Sequence, residues 1–134
     1  MTENKQSFIY PYDNKNFHPP APAMMISLSI PVSASLISIR SLALLDSGAD
    51  ITVIPQRIVE HLQLKRAGDV IASGFDGSRK YYFVYSVKIT IDDFGDFVVR
   101  AISESEDYVI VGRDILNDWL LFLKGPAKIF EIAK

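Results

Sequence analysis

The run Leu44-Leu45-Asp46-Ser47-Gly48-Ala49-Asp50 sets a single carboxylate where an apolar stretch gives way to a tight turn. An Asp in that place has two uses. Its side chain can accept backbone N–H bonds in an Asx turn, which is structural only, or it can move protons beside a bound substrate as a general acid or base. The tripeptide Asp46-Ser47-Gly48 does not separate the two, and the turn is the plainer account. Ser47 as a hydrolase nucleophile has less support, since no G-x-S-x-G elbow is present and neither His18 nor His61 has a recognisable supporting acid. Other chemistries are thinly supplied. The chain has no cysteine and two histidines, which excludes thiol catalysis, disulfides and Cys-based zinc sites and leaves little for other zinc chemistry. Asp92, Asp93 and Asp96 lack the EF-hand spacing and read as a solvated hairpin turn, and Glu104, Glu106 and Asp107 as an exposed loop. No metal or cofactor is expected.

The elements that position Asp46 can be read from hydrophobic period. Residues 1–23 hold four of the seven prolines, Pro11, Pro19, Pro20 and Pro22, and predict an extended N-terminal arm, with regular structure beginning near Met24 and one domain over 24–134. Ile26, Leu28 and Ile30 alternate with Ser27 and Ser29, the period of a half-buried strand, and a second strand runs over about residues 36–45. Pro55 suits the first turn of a helix in which Ile54, Ile58 and Leu62 recur every fourth residue, ending near Leu64. Every odd position from Tyr81 through Phe83, Tyr85, Val87 and Ile89 to Ile91 is apolar or aromatic, which predicts the clearest strand in the chain. Further strands are expected over residues 96–102 and 108–111, then a turn or two of helix at Ile115, Leu116 and Trp119. A terminal hairpin over residues 120–123 and 127–132 follows, folded about Gly125-Pro126. These many short strands with two short helices predict a mostly β domain, a barrel closed or nearly closed.

Bulk properties agree. At 134 residues, 49% hydrophobic and 22% charged, the chain has the composition of one globular domain. A formal charge of −2 with scattered Lys and Arg gives no footprint for nucleic acid or an anionic membrane. Trp119, Tyr81, Phe83 and Tyr85 accordingly read as packing residues, not a base-stacking platform. The N-terminal residues have no signal-peptide core, and no stretch approaches the ~18 apolar residues that would span a bilayer, so a soluble, cytoplasmic protein is expected.

Two further segments extend the motif. Ile51-Thr52-Val53-Ile54 continues it, and Ile110-Val111-Gly112-Arg113-Asp114-Ile115-Leu116 stands near the C-terminus. Together these resemble the retropepsin family of aspartic proteases over about residues 24–132, in motif type and in order. Between them, Ile71-Ala72-Ser73-Gly74-Phe75-Asp76-Gly77-Ser78 occupies the place of the family's glycine-containing flap, with fewer glycines than the retroviral enzymes carry.

The resemblance implies a single-lobe acid-protease barrel in which Asp46 is catalytic. Ser47 then corresponds to the hydroxyl that braces the loops across the dimer axis. Gly48 lets backbone approach substrate, and Asp50 with Arg113 forms an internal ion pair beside Gly112. Ile110 lines a substrate pocket, and Ser73, Gly74, Phe75, Asp76 and Gly77 form the flap. Hydrolysis of a peptide bond without a metal or a nucleophilic side chain needs two carboxyls in contact, one to deprotonate water and one to protonate the carbonyl oxygen. With one Asp-Ser-Gly per chain, the second must come from another copy, so a homodimer with a two-fold axis between the acids is expected. Its substrate would be a peptide bound as an added strand. The rival is a retropepsin-like fold kept as a dimerisation or peptide-binding module, which would have no need of an acid awkward to bury as a pair. Two expectations concern the termini. Tyr10-Pro11 resembles bonds that retroviral enzymes cut in their own maturation, and the apolar strand of Ile129, Phe130 and Ile132 is expected to pair across the dimer axis.

Overall fold

Alternation of apolar side chains builds the barrel. Ile26 and Leu28 of β2 (Ala23–Ser29), Ala43 and Leu45 of β3 (Ser38–Leu45), and Val87, Ile89 and Ile91 of β6 (Arg79–Ile91) fall at period two and are all buried. A computed structural model describes residues 6–32, 37–73, 76–92 and 94–134. Its other strands are β1 (Ser7–Pro11), β4 (Val53–Pro55), β5 (Arg66–Ser73), β7 (Gly95–Glu104), β8 (Val109–Val111), β9 (Leu120–Lys124) and β10 (Ile129–Ala133), and its helices α1 (Gln56–Leu62) and α2 (Arg113–Leu116).

Six strands close into a barrel in the order β2-β3-β8-β4-β7-β6, because residues 27–29 of β2 also pair with residues 88–90 of β6. Closure leaves no free edge among these six strands, and β5 alone extends beyond them, paired to β6. The expected mostly β barrel with two short helices is therefore what the chain forms. α1 closes one side with Ile58, Val59 and Leu62 buried, and Gln63 ends it in the left-handed region at φ 51°. No helix among the described residues is long and apolar enough to cross a membrane.

Three features differ from expectation. First, the odd-numbered face of β6 does not stay inside. Residues 79–83 pair only with β5, forming a two-stranded hairpin beyond the barrel wall, so Tyr81 and Phe83 are 55% and 46% exposed while Val84 is buried. The Arg66 guanidinium lies 4.1 Å from the centre of the Phe83 ring, and the Asp69 carboxylate accepts hydrogen bonds from both Arg66 and the Tyr81 hydroxyl. These contacts tie the hairpin's outer face. On its other side the Tyr82 hydroxyl donates to Glu104, and this bond, with burial and the Glu104 charge, pushes its pKa up to about 12. The neutral phenol is the donor, so the contact is complete below pH ~10 and is lost as pH rises through the folded value. In an alkaline absorbance titration, Tyr82→Phe should remove a component that ionises near pH 12.

Second, regular structure begins well before Met24. β1 pairs antiparallel with β10, and Tyr10 stacks on Phe130 with ring centroids 5.4 Å apart. The Tyr10-Pro11 bond thus lies inside a paired strand, and a protease could reach it only after β1 was stripped from β10.

Third, β10 is the middle strand of the sheet β1-β10-β9, with Phe130 and Ile132 fully buried in their own subunit. The expectation that these residues face a partner is corrected, because the fold spends them on its own core. Leu120, Phe122 and Leu123 on β9 are instead 48–56% exposed, and β9 is an outer strand of that sheet.

Candidate active site

Asp46 follows β3 directly, and its position comes from the pairing of that strand. Ala43, Leu44 and Leu45 run parallel to Val109, Ile110 and Val111 of β8, and the Asp46 N–H continues this ladder to the Val111 carbonyl at 3.0 Å. The chain then turns sharply. Ala49 N–H donates to Asp46 O at 3.1 Å, and Gly48 N–H donates to Asp46 Oδ1 at 2.9 Å. The Asx turn is therefore present, but the carboxylate is half-buried rather than consumed, and Ser47, Gly48 and Asp50 are exposed beside it. A Cβ on Gly48 would stand 3.1 Å from Asp46 Oδ1, so a side chain there would press on the acid.

A second segment clamps the turn from behind. Arg113 N–H donates to Ala49 O at 2.8 Å, and its guanidinium reaches the Ser47 carbonyl at 2.6 Å and the Asp50 carboxylate. The Asp50–Arg113 pair thus exists, although the two side chains are 80% and 41% exposed. Pairs of that kind contribute about 0–1 kcal/mol. Gly112 is buried against Ala49 and Ile51. A Cβ there would meet backbone atoms at 2.8–3.0 Å, and this close approach requires glycine.

The contact that fixes the two segments more firmly was not among the candidates from sequence. Thr52 is fully buried. Its backbone N–H donates to Asp114 Oδ2 at 3.0 Å, its hydroxyl donates to Asp114 Oδ1 at 2.7 Å, and Gly112 N–H donates to the Thr52 hydroxyl at 3.2 Å. The available signals were a lone hydroxyl inside the apolar run Ile51 to Ile54 and an acid in the first turn after Gly112-Arg113. Removing a buried partner costs about 1–3 kcal/mol, more than an exposed ion pair returns. Thr52→Val should accordingly lower unfolding free energy by about 1–3 kcal/mol. Asp50→Asn should lower it by less than about 1 kcal/mol in the same denaturation series.

The remaining candidates are Ile110 and the residues of the flap. Ile110 is half-buried and sits in register between Leu44 and Val53. The β5–β6 hairpin is paired out to Ser73 and Arg79, beyond which Asp76 Oδ1 accepts the Ser78 N–H at 2.9 Å and Gly77 takes φ 77°. Gly74 and Phe75, the other two flap candidates, lie outside the described residues. Asp92 is engaged elsewhere, 3.3 Å from Arg40.

Comparison with known proteins narrows the reading. A family model described as aspartyl protease matches residues 32–115. The fold is similar to a retropepsin-like aspartic protease from Rickettsia conorii, with a TM-score of 0.60 at 10% identity over 99% of this chain and 96% of that one. It is also similar to EIAV protease complexed with the inhibitor HBY-793, with a TM-score of 0.58 at 21% identity over 79% of this chain and 91% of that one. No curated protein matches by sequence.

Proposed function

This chain belongs to the aspartyl protease family, and from that premise we propose that it is a homodimeric endopeptidase in which each subunit contributes Asp46. The observation that carries the proposal is a half-buried carboxylate at the end of β3, held through its backbone by β8 and through Oδ1 by Gly48, on a loop whose neighbours are exposed. A single carboxylate cannot be base and acid at once. In the dimer one Asp46 takes a proton from water as the oxygen attacks the peptide carbonyl carbon, and the other gives its proton to the carbonyl oxygen. Collapse of the tetrahedral intermediate re-forms the carbonyl, breaks the C–N bond and delivers a proton to the departing amine.

Ser47 would brace the two loops across the axis, and Asp50 and Arg113 would hold the turn and meet substrate backbone. Gly112 would keep the two segments in contact, and Ile110 would line a pocket. Substrate would lie extended beneath the β5–β6 hairpin, whose tip acts as the flap, and would be held by main-chain hydrogen bonds as an added strand. The surface that suits the second copy best is β9, since three apolar residues are exposed on this outer strand and its edge could pair antiparallel with the same strand of a partner.

The test is incubation of purified protein with a random peptide library from pH 4 to 7, with and without a statine-type inhibitor that mimics the tetrahedral intermediate. Cleavage confined to the uninhibited sample is expected, with a bell-shaped pH profile peaking below neutrality because the pair works with one shared proton. A flat profile across pH 4 to 7 would point to other chemistry.

A further inference from the structure

β1 and β2 share a neck but join different sheets. At the neck Asp13 and Ala21 exchange backbone hydrogen bonds of 2.8 and 3.1 Å, which closes the loop between the two strands. Beyond it β1 pairs with β10 and β2 pairs with β3, so the two segments diverge and a groove of about 540 Å³ opens between them. One wall is apolar. Met25, 45% exposed, stands opposite Leu42 in the β2–β3 register, and Ala23 and Tyr12 also line the space. An exposed Met is an adaptable contact for apolar ligands.

The other wall is a strand edge. Tyr10 and Pro11 both line the groove, although successive side chains of a strand point to opposite faces, so the edge of β1 borders it. That edge is open, because β1 is an outer strand and spends its hydrogen bonds on β10 at its other side. An alkyl chain would cover the apolar wall and leave such an edge unpaired, whereas an extended peptide meets both.

The rim favours an anion. The Asp13 carboxylate is filled from within its own loop by the backbone N–H groups of Lys15 and Asn16 and the Asn16 side-chain amide, at 2.8–2.9 Å. Arg40 uses only Nη1, which donates to Ser27 Oγ at 3.1 Å and to Asp92 Oδ1 at 3.3 Å, so among the described residues its Nε and Nη2 keep their N–H groups unspent. Lys15 forms no ion pair among the described residues. The donors left at the rim thus belong to cations, and the planar guanidinium matches the two oxygens of a carboxylate.

We propose that this groove binds the C-terminal end of an extended apolar peptide, which adds to the β1 edge, lays its side chains on Met25 and Leu42 and sets its terminal carboxylate on Arg40. None of the residues proposed to serve Asp46 lines the groove, so the inference is independent of the endopeptidase reading.

The test titrates the full chain, isotope-labelled at its methionine methyl groups, and follows the Met25 methyl signal by NMR, with the signal assigned through Met25→Leu. The probes are an acetylated tetrapeptide ending in valine and leucine with a free carboxylate, its C-terminal amide, and dodecanoate, and mass spectrometry checks that each peptide stays intact. The free acid should shift the Met25 signal saturably, and the amide should bind about tenfold more weakly. Arg40→Gln should weaken the acid about tenfold and leave the amide unchanged. If Arg40→Gln does not fold, Lys15→Gln takes its place with an effect in the same direction. A Met25 signal that neither peptide moves overturns the inference, as does equal binding of acid and amide or a loss on Arg40→Gln that is the same for both. A signal moved by dodecanoate and not by the peptides overturns it too, since the groove would then take an alkyl chain.

Discussion

Asp46→Asn should reduce peptide cleavage by about 10⁴-fold or more at every pH from 4 to 7, while the protein stays folded and dimeric. Asn is nearly isosteric with Asp, and its side-chain oxygen can still accept the Gly48 N–H that now reaches Oδ1 at 2.9 Å. The turn therefore keeps its shape. What disappears is the ionisable group, and in a symmetric dimer it disappears from both halves of the pair, so neither base nor acid remains. A fold kept only for binding predicts the opposite, because peptide affinity and dimerisation would persist and there would be no turnover to lose. The decisive measurement pairs turnover with sedimentation and circular dichroism on the same preparation. A proteolytically active Asp46→Asn protein would falsify the assignment.

Phe122→Lys should separate the subunits without unfolding them, whereas deletion of residues 127–134 should unfold the chain. The two variants act on adjacent strands with different surroundings. Phe122 is 48% exposed on an outer strand, so a Lys there does little harm to the monomer, and across a two-fold axis it would set like charges near one another. Loss of a central interface aromatic typically costs 2 kcal/mol or more, so the dimer dissociation constant should rise about thirtyfold or more. Activity should fall at low enzyme concentration and recover at high concentration, since each subunit holds one acid. The deletion instead removes Phe130 and Ile132, both fully buried, together with the hydrogen bonds of β10 to β1 and β9. Truncating one such aromatic costs about 3–5 kcal/mol, against a total stability of about 5–15 kcal/mol for a domain. A folded, fully dimeric and active deletion variant would refute this placement of the strand, and a Phe122→Lys variant with unchanged association would refute β9 as the interface.

Much of the fold was legible because it follows from local pattern. Alternation in residues 24–30 and 87–91 marks β2 and the barrel half of β6 whatever they pack against, since period two places every second side chain on one face. Pro55 followed by Ile58 and Leu62 marks α1 for the same reason at helical period. The candidate acid was legible from the segment around Asp46, and the matching segment around Gly112 from residue type and order.

What the sequence did not disclose depends on partners distant along the chain. β5 lacks alternation in Arg66-Ala67-Gly68-Asp69 and is a strand because β6 supplies its hydrogen bonds. β1 lies in a proline-containing segment that composition marks as an arm, and it is ordered by β10, more than a hundred residues later. The apolar composition of Ile129, Phe130 and Ile132 shows that the strand must be covered but not by which chain, and only its place between β1 and β9 decides that its own subunit covers it. Thr52 and Asp114 are ordinary polar residues in sequence. They become the clamp behind Asp46 because the fold buries Thr52, just before β4, against the start of α2, where the Asp114 carboxylate and the Gly112 N–H satisfy its hydroxyl. Local period determined β2, α1 and the barrel half of β6, while tertiary pairing and burial decided β1, β5 and which polar groups had to meet.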